Sequence, residues 1–208
     1  MKLKTTLRCA TAALALAAAA LPAAAQYAFD ATDVAAFGAP TYGSVILTQN
    51  GANVDFEVDL RGDMNFLTTG GHNVFAFNGS GVALADIVSI QDASTQTFNA
   101  IVPGIDPPFG SFGFGITCAT GCSNGGSQGG YPDPLTFTVL NANVADFLIK
   151  STGAGSLGTA YFAADVIDAN GKTGAVGVTT AVPEPETYAL MLAGLGVMGF
   201  MAQRRRVA

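Results

Sequence analysis

The sequence is poor in the residues on which most catalytic and metal-binding sites depend. It has no tryptophan, one histidine and three cysteines, and only nine lysines and arginines against 15 carboxylates. One histidine and three cysteines equal the four ligands of a structural zinc site, but Cys9 and His72 lie far in the chain from Cys118 and Cys122, so no zinc-binding signature is present. The absence of tryptophan also disfavours the exposed aromatic platforms that many sugar-binding modules use.

Positive charge is scarcer still in the middle of the chain. Between residues 26 and 187 the bases are Arg61, Lys150 and Lys172, whereas all 15 carboxylates lie in this range. Three bases against 15 acids give a net charge near −12, compared with −6 for the whole chain. Such a surface repels nucleic acid and anionic lipid. It attracts divalent cations or basic partners, or it serves only to keep the domain soluble.

The first 25 residues have the layout of a secretory signal peptide. Lys2, Lys4 and Arg8 form a basic region, residues 10–21 are apolar, and Ala23–Ala25 supplies small residues for cleavage. We expect the mature chain to begin at Gln26, outside the cytoplasm, after export by the Sec machinery.

Two of the three cysteines remain after that cleavage. Cys118 and Cys122 stand in the segment CATGC. In an oxidising compartment a pair of thiols normally forms a disulfide. Two thiolates without a nearby histidine fall short of a zinc site. We therefore predict a Cys118–Cys122 disulfide.

Residues 26–180 read as one exported all-β domain. In residues 53–60 apolar and acidic side chains alternate with period two, which predicts a half-buried strand. Residues 44–48 precede it across a Gln49–Ala52 turn, so the two form a hairpin. The other predicted strands are 73–77, 87–90, 111–117, 135–140, 160–167 and 175–179, and residues 144–149 are either a strand or a short helix. Seven to nine short strands of this kind predict an antiparallel β-sandwich.

The polar face of the clearest strand carries Asp55, Glu57 and Asp59, which we call the acidic stripe. Successive members are about 7 Å apart on one face. Oxygen ligands suit hard cations, so the stripe is a candidate calcium site, the alternative being a solvated strand face. The turn at Asp168–Lys172 resembles the start of an EF-hand loop, but Lys172 occupies a position that needs an oxygen ligand.

Two short motifs resemble catalytic or cofactor sites, and neither has the required context. Residues 125–129 fit Gly-x-Ser-x-Gly, but Ser127 lies in a glycine-rich loop and His72 precedes it in the chain. Residues 153–158 fit Gly-x-Gly-x-x-Gly without the strand and helix of a dinucleotide fold. Nothing in the spacing selects a glycosidase-like pair of carboxylates. We expect no enzymatic activity.

The tail, residues 181–208, contains three parts in a fixed order. Pro183-Glu184-Pro185 comes first, an uncharged and mostly apolar run over 188–202 follows, and Arg204, Arg205 and Arg206 come last. As a helix the run is about 22 Å long, shorter than a bilayer core of about 30 Å. A basic cluster beside an apolar run marks the cytoplasmic side of a membrane. We therefore predict a transmembrane helix at 188–202 with a cytoplasmic basic end.

These three parts resemble the PEP-CTERM sorting signal of exopolysaccharide-producing Gram-negative bacteria, also catalogued as an ice-binding protein C-terminal motif. The resemblance covers only the tail. It implies an exosortase substrate that is recognised at Pro183-Glu184-Pro185, held briefly in the inner membrane, cleaved, and delivered to the cell surface or biofilm matrix. Exopolysaccharide or other matrix components are then expected as partners, and nucleic acid is not. The alternative function is a secreted carbohydrate-binding or carbohydrate-cleaving β-sandwich module.

Overall fold

Antiparallel β-strands form most of the regular structure in the computed structural model. It describes residues 24–94, 96–120, 130–153 and 155–181, together with 194, 195 and 198. The described strands are β1 (Ala24–Ala28), β2 (Ala31–Thr32), β3 (Gly43–Asn50), β4 (Asn53–Leu60), β5 (Met64–Phe66), β6 (Phe75–Phe77), β7 (Ile87–Gln91), β8 (Thr97–Ile101), β9 (Gly104–Asp106), β10 (Gly110–Phe112), β11 (Phe114–Thr120), β12 (Leu135–Val139), β13 (Phe162–Asp168) and β14 (Thr173–Val178). Three short 3₁₀ helices occupy Ala35–Phe37, Leu84–Asp86 and Val144–Phe147.

The strands form two main sheets. The first has five strands in the order β1-β3-β4-β12-β7. The second has the order β2-β14-β13-β6-β11-β8, with β5 also paired to β13, and β9 pairs with β10 as a separate ribbon. Every pair is antiparallel, which confirms the predicted all-β antiparallel class. The arrangement is consistent with a β-sandwich.

An aromatic core joins the two sheets. Phe56 of β4 stacks on Phe137 of β12, with ring centroids 4.4 Å apart, and approaches Phe77 of the second sheet at 5.3 Å. Phe147, from the last 3₁₀ helix, meets Phe56 edge-on at 4.7 Å. All four rings are buried. Because one residue in two along β4 points into this core, the acidic stripe is left on the outer face of the first sheet.

The second sheet is covered on both faces. Every residue of β13 is buried, so the inside–outside alternation of a half-buried strand is absent there. Phe109 and Phe112, from the segment around β10, pack with Ala163 and Ala175 on its outer face. A Cβ added at Gly177 would lie 2.5 Å from the Phe109 ring, so only glycine permits this close approach. The proline-rich segment beginning at Pro103 therefore covers a sheet.

Most predicted strands are present with small shifts of their ends. The predicted hairpin is β3–β4, paired from Gly43–Leu60 to Asn50–Asn53. The predicted strand at 111–117 is divided at Gly113 into β10 and β11. Residues 144–147 form a 3₁₀ helix, which decides between the two alternatives for that segment. The short strands β2, β5 and β9 carry too few residues for a period to be read from the sequence.

Both ends of the chain lie largely outside the described residues. Strand β1 begins at Ala24, so the predicted cleavage before Gln26 falls within it, and the predicted signal peptide remains a prediction. Of the tail, Gly194, Leu195 and Met198 have helical backbone and are exposed. Within the described part of the chain, no helix combines the length and apolar character needed to span a membrane.

Candidate functional site

The acidic stripe does not act as one unit. The Asp55 carboxylate accepts hydrogen bonds from Thr138 Oγ1 at 2.7 Å and from Asn50 Nδ2 at 2.9 Å. A hydrogen bond with Asp133, followed by burial, raises the pKa of Asp59 to about 6. Glu57, between them, is exposed, and its carboxylate makes no hydrogen bond with any described residue. The three carboxylates therefore have three different environments.

The described residues contain no cluster of side chains arranged as a metal centre. Among them, no group of three or more histidine, cysteine, aspartate or glutamate side chains is placed to hold a metal ion. Calcium binding by the acidic stripe stays an untested alternative to a solvated strand face. The turn after β13 has a structural role: Asp168 Oδ1 accepts the backbone N–H groups of Asn170 and Lys172 at 2.9 and 2.8 Å. These bonds lower the pKa of Asp168, the Lys172 N–H first.

A polar groove of about 350 Å³ lies across the outer face of the first sheet. Its side chains form two rows that run across the strands. One row holds Glu57, Thr136 and Gln91, which are neighbours in the register of β4, β12 and β7. The other row is Thr48, Asp55 and Thr138, from β3, β4 and β12, and Ser89 of β7 lies at the side. The groove is the candidate binding site of the exported domain.

A second polar cluster is buried between the loop before β6, β9 and β13. His72 Nδ1 lies 3.3 Å from Asp106 Oδ1, and Asp106 has no solvent exposure. Neither Asp106 oxygen has a hydrogen-bond partner among the described residues. Asp165, also fully buried, accepts hydrogen bonds from Thr69 N and from Thr69 Oγ1, the latter at 2.8 Å. Its other oxygen has no described partner.

Burial dominates the proton affinity of these carboxylates. It raises the pKa of Asp165 to about 6, and the hydrogen bonds from Thr69 oppose it only in part. Burial also raises the pKa of Asp106, against the opposing effect of His72. The neighbouring Asp106 in turn raises the pKa of His72. The cluster therefore holds protons to a higher pH than its isolated groups would.

From the sequence, His72 is a candidate only for a Ser-His-Asp triad with Ser127. The structure places it with two aspartates instead, and Ser127 lies outside the described residues. The sequence did contain one signal of the cluster, because Asp165 is the one charged residue in the otherwise apolar run 160–167. No comparable signal identifies Asp106, whose environment depends on contacts far away in the chain.

Thr179 and Thr180, just before the tail, are hydrogen-bonded to the domain. Asp30 accepts hydrogen bonds from the backbone N–H and the hydroxyl of Thr179, at 2.7 and 2.9 Å. It also accepts the N–H of Thr180 at 3.0 Å and the Thr180 hydroxyl. From the opposite side Lys150 Nζ donates to the Thr179 carbonyl at 2.8 Å. The folded domain is thus secured up to Thr180, directly before the tail.

The predicted sorting and disulfide residues lie mostly beyond the described part of the chain. Pro183, Glu184 and Pro185 are outside it, as are Arg204, Arg205 and Arg206. Cys118 lies in β11, and Cys122 is outside the described residues, so their disulfide stays a prediction.

Comparison with known protein families identifies the tail. A family model described as the PEP-CTERM protein-sorting motif matches residues 181–206. The chain carries a PEP-CTERM sorting motif. The match begins one residue after Thr180, where the described hydrogen bonds of the domain end. No curated protein and no solved structure matches the chain.

The PEP-CTERM motif confirms the resemblance seen in the sequence. It supports an exported protein that passes through the membrane and is sorted by an exosortase. The β-domain carries no comparable match, so its role has to be argued from its own geometry.

Proposed function

We propose that the chain is an exported, non-enzymatic protein of the cell surface or biofilm matrix, cleaved by an exosortase at its PEP-CTERM tail. The observation that carries the proposal is the match at residues 181–206. The attachment of Thr179 and Thr180 to Asp30 adds to it. Because the described hydrogen bonds of the domain end at Thr180, before the motif begins, cleavage within the tail leaves the fold intact.

Two of the described carboxylate contacts are unsuited to glycoside cleavage. A glycosidase needs two carboxyl groups about 5 Å or more apart, so that the sugar carbon lies between them. Asp59 and Asp133 are close enough to hydrogen-bond to each other. The fully buried Asp106 beside His72 is likewise closed to solvent. Neither pair has room for a substrate between its members.

Sorting is tested in the producing strain and in the same strain without its exosortase. We expect the surface protein to lack residues 188–208 in the parent, and the deletion strain to retain the full tail in the inner membrane. Mass spectrometry of the fractionated protein reads both properties. Equal mass and equal location in the two strains would contradict the proposal.

A matched pair of variants tests the motif itself. The double variant Pro183→Ala, Pro185→Ala should accumulate in the inner membrane with its full mass. Val182→Ala, next to the Pro-Glu-Pro triplet, is the control and should be processed like the wild type. Normal processing of the double variant would show that these prolines are not part of the recognised signal.

A carbohydrate-binding module is the second candidate function. The groove across the first sheet favours it, because most of its lining residues are polar and several of their side chains make no hydrogen bond within the described part of the chain.

A further inference from the structure

The groove owes its shape to an irregularity in β7. Thr136 of β12 is paired with Gln91, but Thr138 is paired with Val88, so β7 has an extra residue opposite this part of β12. Ser89, in this bulge, has φ of +56°, a left-handed conformation that is unusual for a residue other than glycine. Bulges of this kind are common beside binding sites, where they redirect side chains.

Several side chains of the groove are free to meet a ligand. Thr48, Glu57, Ser89, Gln91 and Thr136 make no side-chain hydrogen bond with any part of the chain that the structure describes. By contrast, Asp55 and Thr138 bond to each other at 2.7 Å and hold the groove in shape. The free groups include one carboxylate, one amide and three hydroxyls.

The charge of the groove restricts the chemistry of its ligand. Asp55 and Glu57 line it, and no lysine or arginine does. The three bases of the exported domain lie elsewhere: Arg61 pairs with Asp63, Lys150 bonds to Thr179, and Lys172 lies in the turn between β13 and β14. Anionic ligands such as uronates and phosphates are therefore repelled.

The spacing of the groups suits a ligand rich in hydroxyls. Neighbouring strands are about 4.8 Å apart and alternate residues about 7 Å apart, so each row is about 10 Å long and the two rows, offset by one strand, lie about 7 Å apart. The volume of about 350 Å³ is at the lower end for small-molecule sites. Carboxylate, amide and hydroxyl groups in such rows accept and donate hydrogen bonds to neighbouring sugar hydroxyls.

We infer that this groove binds an uncharged saccharide segment, with Glu57 as the main acceptor for its hydroxyl groups. Calcium has no part in the contact, since no described cluster of three metal-ligating side chains exists here. No aromatic ring stacks on the ligand, so the affinity rests on exposed hydrogen bonds and lies in the millimolar range. The inference deepens the second candidate function and does not depend on sorting.

The test titrates the full chain, solubilised in a mild detergent, with neutral and anionic oligosaccharides. Maltopentaose and cellopentaose are the neutral probes, and an alginate pentamer is the anionic probe. We expect saturable NMR shifts at Glu57, Gln91 and Thr136 with at least one neutral probe, unchanged by a calcium chelator. The alginate pentamer should cause none.

Matched variants then locate the site. Glu57→Gln should weaken binding about tenfold, because a charged acceptor is lost. Thr136→Val, which keeps the side-chain shape but removes the hydroxyl, should also weaken it. Asp59→Asn is the control, since it lies on the same strand face outside the groove. Melting curves show that each variant is folded.

Three results would overturn the inference. One is the absence of saturable shifts with both neutral probes at about 50 mM, well above the expected dissociation constant. Another is binding that Glu57→Gln and Thr136→Val leave unchanged. The third is binding that requires calcium. A failure of sorting is seen separately, in the mass and location of the protein, so the two proposals can fail independently.

Discussion

Replacing the buried Asp165 by asparagine should change how the stability of the domain depends on pH. Burial raises the pKa of Asp165 from 3.8 to about 6. The folded state therefore binds this proton more tightly than the unfolded state does. The resulting contribution to stability is complete below pH 3.8 and is lost as the pH rises through 6. Stability should consequently fall between pH 4.5 and pH 7.5.

The neighbours of Asp165 act in the same direction. The pKa of Asp106 is raised by burial, and the pKa of His72 is raised by Asp106. Each of these groups also contributes stability at low pH that is lost as the pH rises through its folded-state value. Asp63 and Asp168 have lowered pKa values, so their contributions are lost only as the pH falls below the ordinary value of 3.8. Asp59, whose pKa is also raised to about 6, loses its contribution over the same range as Asp165. The difference between the wild type and Asp165→Asn therefore isolates Asp165, whereas the wild-type curve alone does not.

The size of the effect follows from the raised pKa of Asp165. A rise from 3.8 to about 6 corresponds to about 3 kcal/mol. For a domain of this size, that is about 6–12 °C in Tm. Asparagine has the same shape, keeps an acceptor for Thr69 and never ionises. Asp165→Asn should thus match the wild type within about 1 kcal/mol at pH 4.5 and exceed it by up to about 3 kcal/mol at pH 7.5.

The assay is thermal unfolding of the purified protein by circular dichroism from pH 4.5 to pH 8. Glu57→Gln, a change at an exposed carboxylate, is the control and should follow the wild type. If Asp165→Asn lowers Tm equally at every pH, Asp165 acts through its bonds to Thr69 and not through its charge. A wild-type Tm that rises from pH 5 to pH 7.5 would refute the reasoning altogether.

Three further predictions concern the ends and the outer face of the domain. Asp30→Ala should lower the stability by about 2 kcal/mol, or about 4–8 °C in Tm, since four hydrogen bonds to a charged acceptor are lost. An unchanged Tm would show that the attachment of Thr179 and Thr180 is dispensable for stability. Alkylation without reductant should leave Cys118 and Cys122 unmodified, and two labelled thiols would rule out their disulfide. Millimolar calcium should leave Tm equal to that in a sodium control of the same ionic strength, because the members of the acidic stripe have different partners. A calcium-specific rise in Tm that the triple change Asp55→Asn, Glu57→Gln and Asp59→Asn abolishes would instead establish cation binding.

The amino-acid sequence by itself determined the features that depend on neighbouring residues. Period-two alternation placed the β4 strand and its hairpin partner, because a strand turns every second side chain to the same face. The tail was readable for the same reason: its proline motif, apolar run and basic end are contiguous, and residues 181–206 match the sorting motif. Local composition was sufficient for both.

Only the tertiary structure decided what the outer surfaces and buried polar groups contact. Asp59 hydrogen-bonds to Asp133, and His72 lies beside Asp106, although the members of each pair are far apart in the chain. Asp165 also interacts electrostatically with His72. The groove likewise depends on the pairing of β4, β12 and β7 and on the bulge at Ser89. The order of the strands in a sheet, and the pairing of strands distant in the chain, arise from packing of the whole core, which a local pattern does not specify. For this reason the acidic stripe could be predicted from the sequence, but the environments of its members could not. Asp55 bonds to Thr138, Glu57 has no described side-chain hydrogen bond, and Asp59 bonds to Asp133.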